Sequence, residues 1–289
     1  MQLIVLGLLA TACSSTKDQE SGVEANAESL SFNVKKKTFD NGLTALIVKN
    51  SKLPIFTYYT YYKVGGKHEK DGITGASHYL EHMMFKGAKK YKEGEFDKMV
   101  EGNGGSNNAY TTNDLTVYYE NLPNQHLEKI IDVEADRMQN LALNTDSFEK
   151  ERNVVLEERK MRYENSDRGK LYLNMMKAVF EKTPYGTSVI GKIKDLKSVT
   201  RDQMYEYFKM FYAPNNAVVI IVGDVDQDKT LDMLEKKFGS IPKNKKLDSY
   251  KKSINSIKDF DFKGRYNGRK IALKGTSPSP NFYLAFKGV

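Results

Sequence analysis

The chain has 289 residues, 39% hydrophobic and 28% charged, which is enough apolar content for one substantial core or two modest ones and too much for a disordered segment. Its formal charge of +8 arises from 45 Lys and Arg dispersed among 37 Asp and Glu rather than gathered in one aromatic-interleaved stripe, which argues against a nucleic-acid binder. The single cysteine, Cys13, excludes an intramolecular disulfide and a cysteine-based metal site.

In chain order, the first feature is the apolar run "LIVLGLLATA" at Leu3 to Ala12, too short to span a bilayer but the right size for the core of a secretory signal. Followed by Cys13 and "SS", it resembles the lipobox of a bacterial lipoprotein, so residues 1–13 are expected to be a signal peptide and Cys13 a lipidated anchor to a membrane. That reading places the chain at a bacterial cell envelope, on the periplasmic side of a membrane or at the cell surface. Residues 14–31 are polar and lack aromatics, as suits a flexible tether.

From Phe32 the pattern turns to strands. "FNVKKKTF" and "LTALIVKN" flank an Asp40-Asn41-Gly42 turn, a hairpin signal, and "PIFTYYTYYKVGG" (Pro54 to Gly66) continues the sheet with β-branched and aromatic residues. Short helices are expected at Gly75 to Lys86 and Glu93 to Gly102. Gly104 to Leu122 reads as two strands around a turn near Asn113-Asp114. Three longer helical patterns follow at Asn124 to Leu143, Thr145 to Tyr163 and Asp167 to Glu181, the first with Leu127, Ile130, Ile131, Val133 and Met138 at helical spacing. Ser198 to Tyr212 is a helix opening on a Thr cap, Asn216 to Val225 a buried strand, and Asp226 to Phe238 a last helix. Strands grouped with helices, without strict alternation, predict an α+β fold with a mainly antiparallel sheet and helices packed on one face. Residues 32–241 form the expected domain. Residues 242–270, with the basic run Lys243 to Lys252, read as a solvated linker, and 271–289, with a short strand, a Pro/Ser-rich loop and "NFYLAFKGV", as the start of an incomplete second domain.

Chemistry concentrates in "SHYLEHMMFKG", residues 77–87. Residues four apart lie one turn apart on a helix, so His78 and His82 project together with Glu81 beside them. Two neutral imidazoles supply two of the three protein ligands of a catalytic zinc, whose fourth position stays open, and a neighbouring carboxylate can serve as a base. His-x-x-Glu-His is the inverted form of the commoner zinc-protease motif. The third ligand must come from elsewhere. In "FEKERNVVLEERKMRYEN", Glu151 and Glu158 are two turns apart on one face, beneath an apolar seam of Val154 and Val155, and either carboxylate can complete the site.

Taken in order, His78-Tyr79-Leu80-Glu81-His82-Met83 with Phe85 and Gly87, Gly104-Gly105, Asn108-Ala109-Tyr110-Thr111, and Glu151-Arg152 leading to Val155 and Glu158 resemble the signature of the pitrilysin/insulinase family of zinc peptidases, which includes mitochondrial processing peptidase. The resemblance runs from Phe32 to Phe238, with "PYGTSVIGKIKDLKSVT" and "FYAPNNAVVIIVGDV" similar to the family's following segment. It implies His78, His82 and Glu158 as zinc ligands, Glu158 standing 158 − 82 = 76 residues after the second histidine as in the family. It further implies Glu81 as general base, Glu151 as an additional carboxylate that orients a histidine or water, and Asn108 and Ala109 on a strand whose edge pairs with substrate backbone. The activity implied is zinc-dependent endopeptidase cleavage. Members of the family commonly close two homologous halves around a chamber, which implies one half of a two-domain clamshell and a second half or partner subunit for full activity. The alternative is a non-catalytic peptide-binding or scaffolding lipoprotein subunit of the same fold.

Overall fold

The computed structural model describes residues 32–180, 183–255 and 270–286. The expected signal, Cys13 anchor and tether fall outside those residues, as do 256–269 of the expected linker.

The first hairpin forms where Asp40-Asn41-Gly42 predicts it. β1 (Val34–Thr38) pairs antiparallel with β2 (Thr44–Lys49), Thr38 opposite Thr44, and Gly42 takes a φ of 88° that suits glycine. β3 (Ile55–Tyr62), β4 (Ser106–Thr111), β5 (Thr116–Pro123) and β6 (Ala217–Gly223) complete one six-stranded sheet of order β1-β2-β6-β3-β5-β4. All neighbours are antiparallel except β2 and β6. The α+β expectation with a mainly antiparallel sheet therefore holds, and β4 is an edge strand.

Strand alternation separates two faces. On one, Ala45 and Ile47, Phe56, Tyr58 and Tyr62, Tyr118 and Leu122, and Val219 and Ile221 are buried. Helices cover this face. α3 (Leu127–Asn140) buries all five apolar residues named from the sequence, and α8 (Gln227–Phe238) meets the helix-facing side of β1, where Lys35 and Lys37 pair with Asp228 and Glu235. The opposite face is half open. Tyr59 stacks on Tyr61 and Tyr119 there, and Val222 of the expected buried strand is exposed, because β6 is covered on one side only.

The remaining helices are α1 (Ala76–Met83), α2 (Glu95–Gly102), α4 (Thr145–Arg159), α5 (Asp167–Phe180), α6 (Ile193–Ser198), α7 (Arg201–Phe211) and α9 (Lys246–Asn255). The Thr cap expected on α7 is Thr200, which forms a capping box with Gln203. The helix expected to run from Thr145 to Tyr163 stays α-helical to Arg159 and then widens into a π turn over Lys160–Glu164. Two differences follow from packing. Part of the basic run read as linker is helical, because Leu247 is buried and Tyr250 rests on Phe211 at 5.0 Å while donating its hydroxyl to the His68 carbonyl at 2.7 Å. In residues 270–286 no strand forms among the described residues. Thr276 and Ser277 instead donate backbone hydrogen bonds to Asp167 at the start of α5, at 2.6 and 2.7 Å.

Candidate metal centre

α1 carries the histidine pair, and its start is anchored from several sides. Gly75 occupies the N-cap at φ 90°, a left-handed conformation that glycine adopts without strain, and the Glu69 carboxylate accepts from Gly75 N and Ser77 N at 2.6 and 2.8 Å. Asp195 of α6 holds the preceding loop by accepting from Thr74 Oγ1 at 2.6 Å, and Ser77 meets Tyr207 of α7 at 2.9 Å. α4 is capped by Asn144, whose side chain accepts from Asp146 N and Ser147 N. It lies along α1 through Tyr79, whose ring stacks on Phe148 at 4.7 Å and whose hydroxyl donates to the Phe148 carbonyl. Val155 is fully buried in this seam. Val154, expected beside it, is exposed, because adjacent helical residues point about 100° apart and only one can enter a narrow seam.

This packing brings His78, His82 and Glu158 together, one ligand atom from each lying within 4.8 Å of the others. Glu158 Oε2 stands 3.4 Å from His78 Nε2 and 3.3 Å from His82 Nε2, and the two rings are 4.7 Å apart. Oε2 is buried and makes no hydrogen bond, though it faces two ring nitrogens almost equally. A buried carboxylate oxygen so placed calls for a positive partner, a protonated imidazole or a metal ion shared with both nitrogens, and two imidazoles with one carboxylate suit a catalytic zinc. The residues present therefore fit the metal that the motif implies. Glu158 Oε1 is engaged separately, by Arg162 Nη2 at 2.9 Å. Burial works to raise the Glu158 carboxyl, but His78 and His82, with Arg162, hold it well below the usual range.

Glu151 occupies the other side of His82. Its Oε1 is 2.7 Å from His82 Nδ1 and its Oε2 is 2.9 Å from Lys86 Nζ. Burial opposes its charge, yet His82 and Lys86 together keep it below the ordinary carboxylate range. The same contacts act on the imidazole: burial favours the neutral ring, but Glu151 and then Glu158 push His82 up to about 9. The alternatives left by helical phase thus resolve into two places, Glu158 facing both histidines through Nε2 and Glu151 behind one of them.

Glu81 lies outside the three-residue group, and its Oε2 accepts a hydrogen bond from Thr111 Oγ1 at the end of β4. Asn108 and Ala109 sit on the same edge strand, opposite Tyr119 and Tyr118 of β5. They do not share a face. Asn108 is exposed, whereas Ala109 points with Thr111 toward the helices and is partly covered. Thr111 and Lys86 carry no role in the sequence reading. The one signal for Lys86 is its position four residues after His82, and Thr111 stands inside a quoted motif without marking its partner.

Residues 46–192 match the family model described as insulinase (peptidase family M16), and residues 198–289 match the model of the peptidase M16 inactive domain. Zinc protease PqqE of Helicobacter pylori is 36% identical over 221 residues, which cover 76% of this chain and 50% of that protein. Mitochondrial-processing peptidase subunit beta of Neurospora crassa is 28% identical over 253 residues, 87% of this chain and 52% of that one. The solved structure of a protease from Helicobacter pylori superposes with a TM-score of 0.71 at 35% identity, covering 73% of this chain and 51% of that chain. The first half of the periplasmic protease PqqL from Escherichia coli gives 0.68 at 25% identity, covering 73% and 47%. The chain spans about half the length of the curated relatives it matches. With the family model matching about half of the chain and the fold agreeing with the solved structures, the chain belongs to the insulinase family of peptidases, M16.

Proposed function

We propose that the chain is the catalytic half of a zinc-dependent endopeptidase, with His78, His82 and Glu158 as metal ligands and Glu81 as general base. The observation that carries the proposal is Glu158 Oε2, buried and without a hydrogen bond between two imidazole nitrogens at 3.3 and 3.4 Å. Zinc bound there would supply an acidified water and a Lewis acid for the scissile carbonyl. The chain's own groups do the rest. Glu81 Oε2 is engaged by Thr111, so Oε1 is the oxygen open to take a proton from the attacking water and to return it to the leaving amine. His82 Nδ1 donates to Glu151, which orients the ring so that Nε2 faces the cluster. The outer edge of β4 pairs with no strand among the described residues, so Asn108 and Ala109 can hold a peptide in extended form by strand addition.

Full activity is proposed to need a second homologous half, since the matched residues cover only about half of each relative and one of those relatives is named as a subunit. The lipid on Cys13 and a place in the bacterial envelope rest on the N-terminal sequence, and periplasmic proteases stand among the similar structures.

The test pairs two variants. Glu81→Gln is expected to retain zinc and lose cleavage of quenched peptides, assayed with and without any co-purifying partner. His82→Ala is expected to lower zinc content by elemental analysis. Full metal occupancy in His82→Ala, or unchanged turnover by zinc-loaded Glu81→Gln, removes the assignment. Zinc binding with no cleavage under any condition favours the scaffolding alternative.

A further inference from the structure

Glu81 stands on the same face of α1 as the two ligand histidines, one residue before His82 and three after His78. A glutamate there has three rotatable bonds and the reach to become a fourth ligand. Its carboxylate nevertheless lies outside the group formed by His78, His82 and Glu158. That distinction matters chemically, because three protein ligands with an open position make a hydrolytic site, whereas four close it.

What holds Glu81 aside is the hydroxyl of Thr111, which donates to Oε2. The hydroxyl is itself well fixed. Thr111 is the last residue of β4, paired with Thr116, and β-branching restricts its side-chain torsion. The turn beyond it is closed by Thr112 N donating to the Leu115 carbonyl at 2.7 Å and by Thr112 Oγ1 accepting from Asp114 N and Leu115 N at 3.1 and 3.0 Å. At the other end of the strand, on the same face, Asn107 Nδ2 donates to Asp97 of α2 at 2.8 Å. A strand pinned at both ends presents the donor in one place.

Resting on the reading of this cluster as a metal site, we propose that Thr111 is a positioning residue that restrains Glu81 from joining the metal as a fourth ligand and so keeps it available as the base. Because Thr111 belongs to the edge strand, the same bond sets the height of the base relative to any peptide added along β4.

The test uses the whole chain and zinc alone, with affinity read by chelator competition. Thr111→Val keeps the side-chain shape and strand preference but removes the donor, so the freed Glu81 enters the open position and zinc binds about tenfold tighter. Thr111→Ser keeps the donor and restores the original affinity. Thr111→Ala, which removes the donor and the γ-methyl together, gives the same tightening as Val. In a Glu81→Gln background the Thr111→Val change has no effect on affinity, an outcome that a merely structural role for Thr111 does not produce. Unchanged affinity in both Thr111→Val and Thr111→Ala overturns the proposal, as does equal tightening with Gln at position 81. Absence of zinc binding by the unsubstituted chain instead overturns the metal-site reading, and this inference with it.

Discussion

Replacing Glu151 by glutamine keeps the volume and removes one charge, and the geometry forces a consequence. In the native arrangement His82 Nδ1 and Lys86 Nζ approach the two oxygens of one carboxylate at 2.7 and 2.9 Å, so both neighbours need an acceptor. A glutamine offers one acceptor and one donor. If its oxygen faces His82, its amide meets the Lys86 ammonium donor to donor. If it flips, the amide faces Nδ1 and selects the tautomer with the proton on Nε2, the nitrogen that faces Glu158. Either orientation mispairs a buried group, at about 1–3 kcal/mol of folding stability. Loss of the partner behind His82, the histidine proposed as ligand, is expected to weaken zinc binding by about 10–100-fold, or about 1.4–2.7 kcal/mol. The pH dependence separates this from general damage. Without metal, burial favours the neutral ring, but Glu151 and then Glu158 raise His82 from 6.5 to about 9. The ion-paired imidazolium stabilises the metal-free fold fully below pH 6.5, and that contribution is lost as pH rises through about 9. Zinc must displace this proton, so native affinity climbs about tenfold per pH unit between those limits. Removing the Glu151 charge lowers the pKa and eases proton competition at the acid end. The deficit of Glu151→Gln therefore grows with pH and is greatest near pH 9. Chelator competition across that range, with urea unfolding of the same samples, reads both effects. Equal affinity at every pH, or a deficit largest in acid, refutes the reasoning.

Gly75→Ala places a Cβ 2.2 Å from the Ile190 carbonyl oxygen at a residue with φ +90°, so a loss of at least about 2 kcal/mol in urea unfolding is expected, with weaker zinc binding as the start of α1 shifts. Full stability in that variant contradicts the close approach. Arg137→Met removes the buried cation that Glu120 approaches at 2.9 Å and Glu134 also pairs with, leaving two carboxylates uncompensated, and about 3–5 kcal/mol should be lost in the same assay. Burial, then Glu134, already hold the Glu120 carboxyl well above its usual range, so the loss should shrink as pH falls and Glu120 takes up its proton.

Why some of this was readable in the sequence and some was not follows from the range of each signal. The histidine pair is a local fact. Four residues of α-helix put two imidazoles on one face whatever the rest of the chain does, and the rings lie 4.7 Å apart. The choice between Glu151 and Glu158 is not local, since a seven-residue spacing puts both on the same face and both in fact touch His82, on opposite nitrogens. What decides between them is that His78 Nε2 also meets Glu158, and this depends on how far α4 slides along α1, a quantity set by Tyr79 against Phe148 and by Val155 in the seam. The helix in the basic run was hidden for the same reason. Leu247 and Tyr250 are too few to make a periodic pattern, and their effect comes from the surfaces they meet, Phe211 and the His68 carbonyl among them. Thr111 is the limiting case, for a hydroxyl has no spacing rule, and its partner lies 30 residues away on another element. The C-terminal end of α4 extends the same argument to the Glu158 carboxylate. The helix winding stays α through Arg159 and opens into a π turn at Lys160, from which Arg162 meets one oxygen of Glu158 while the other faces the two imidazoles. The winding thus changes two residues beyond Glu158, and no residue type within that turn announces it.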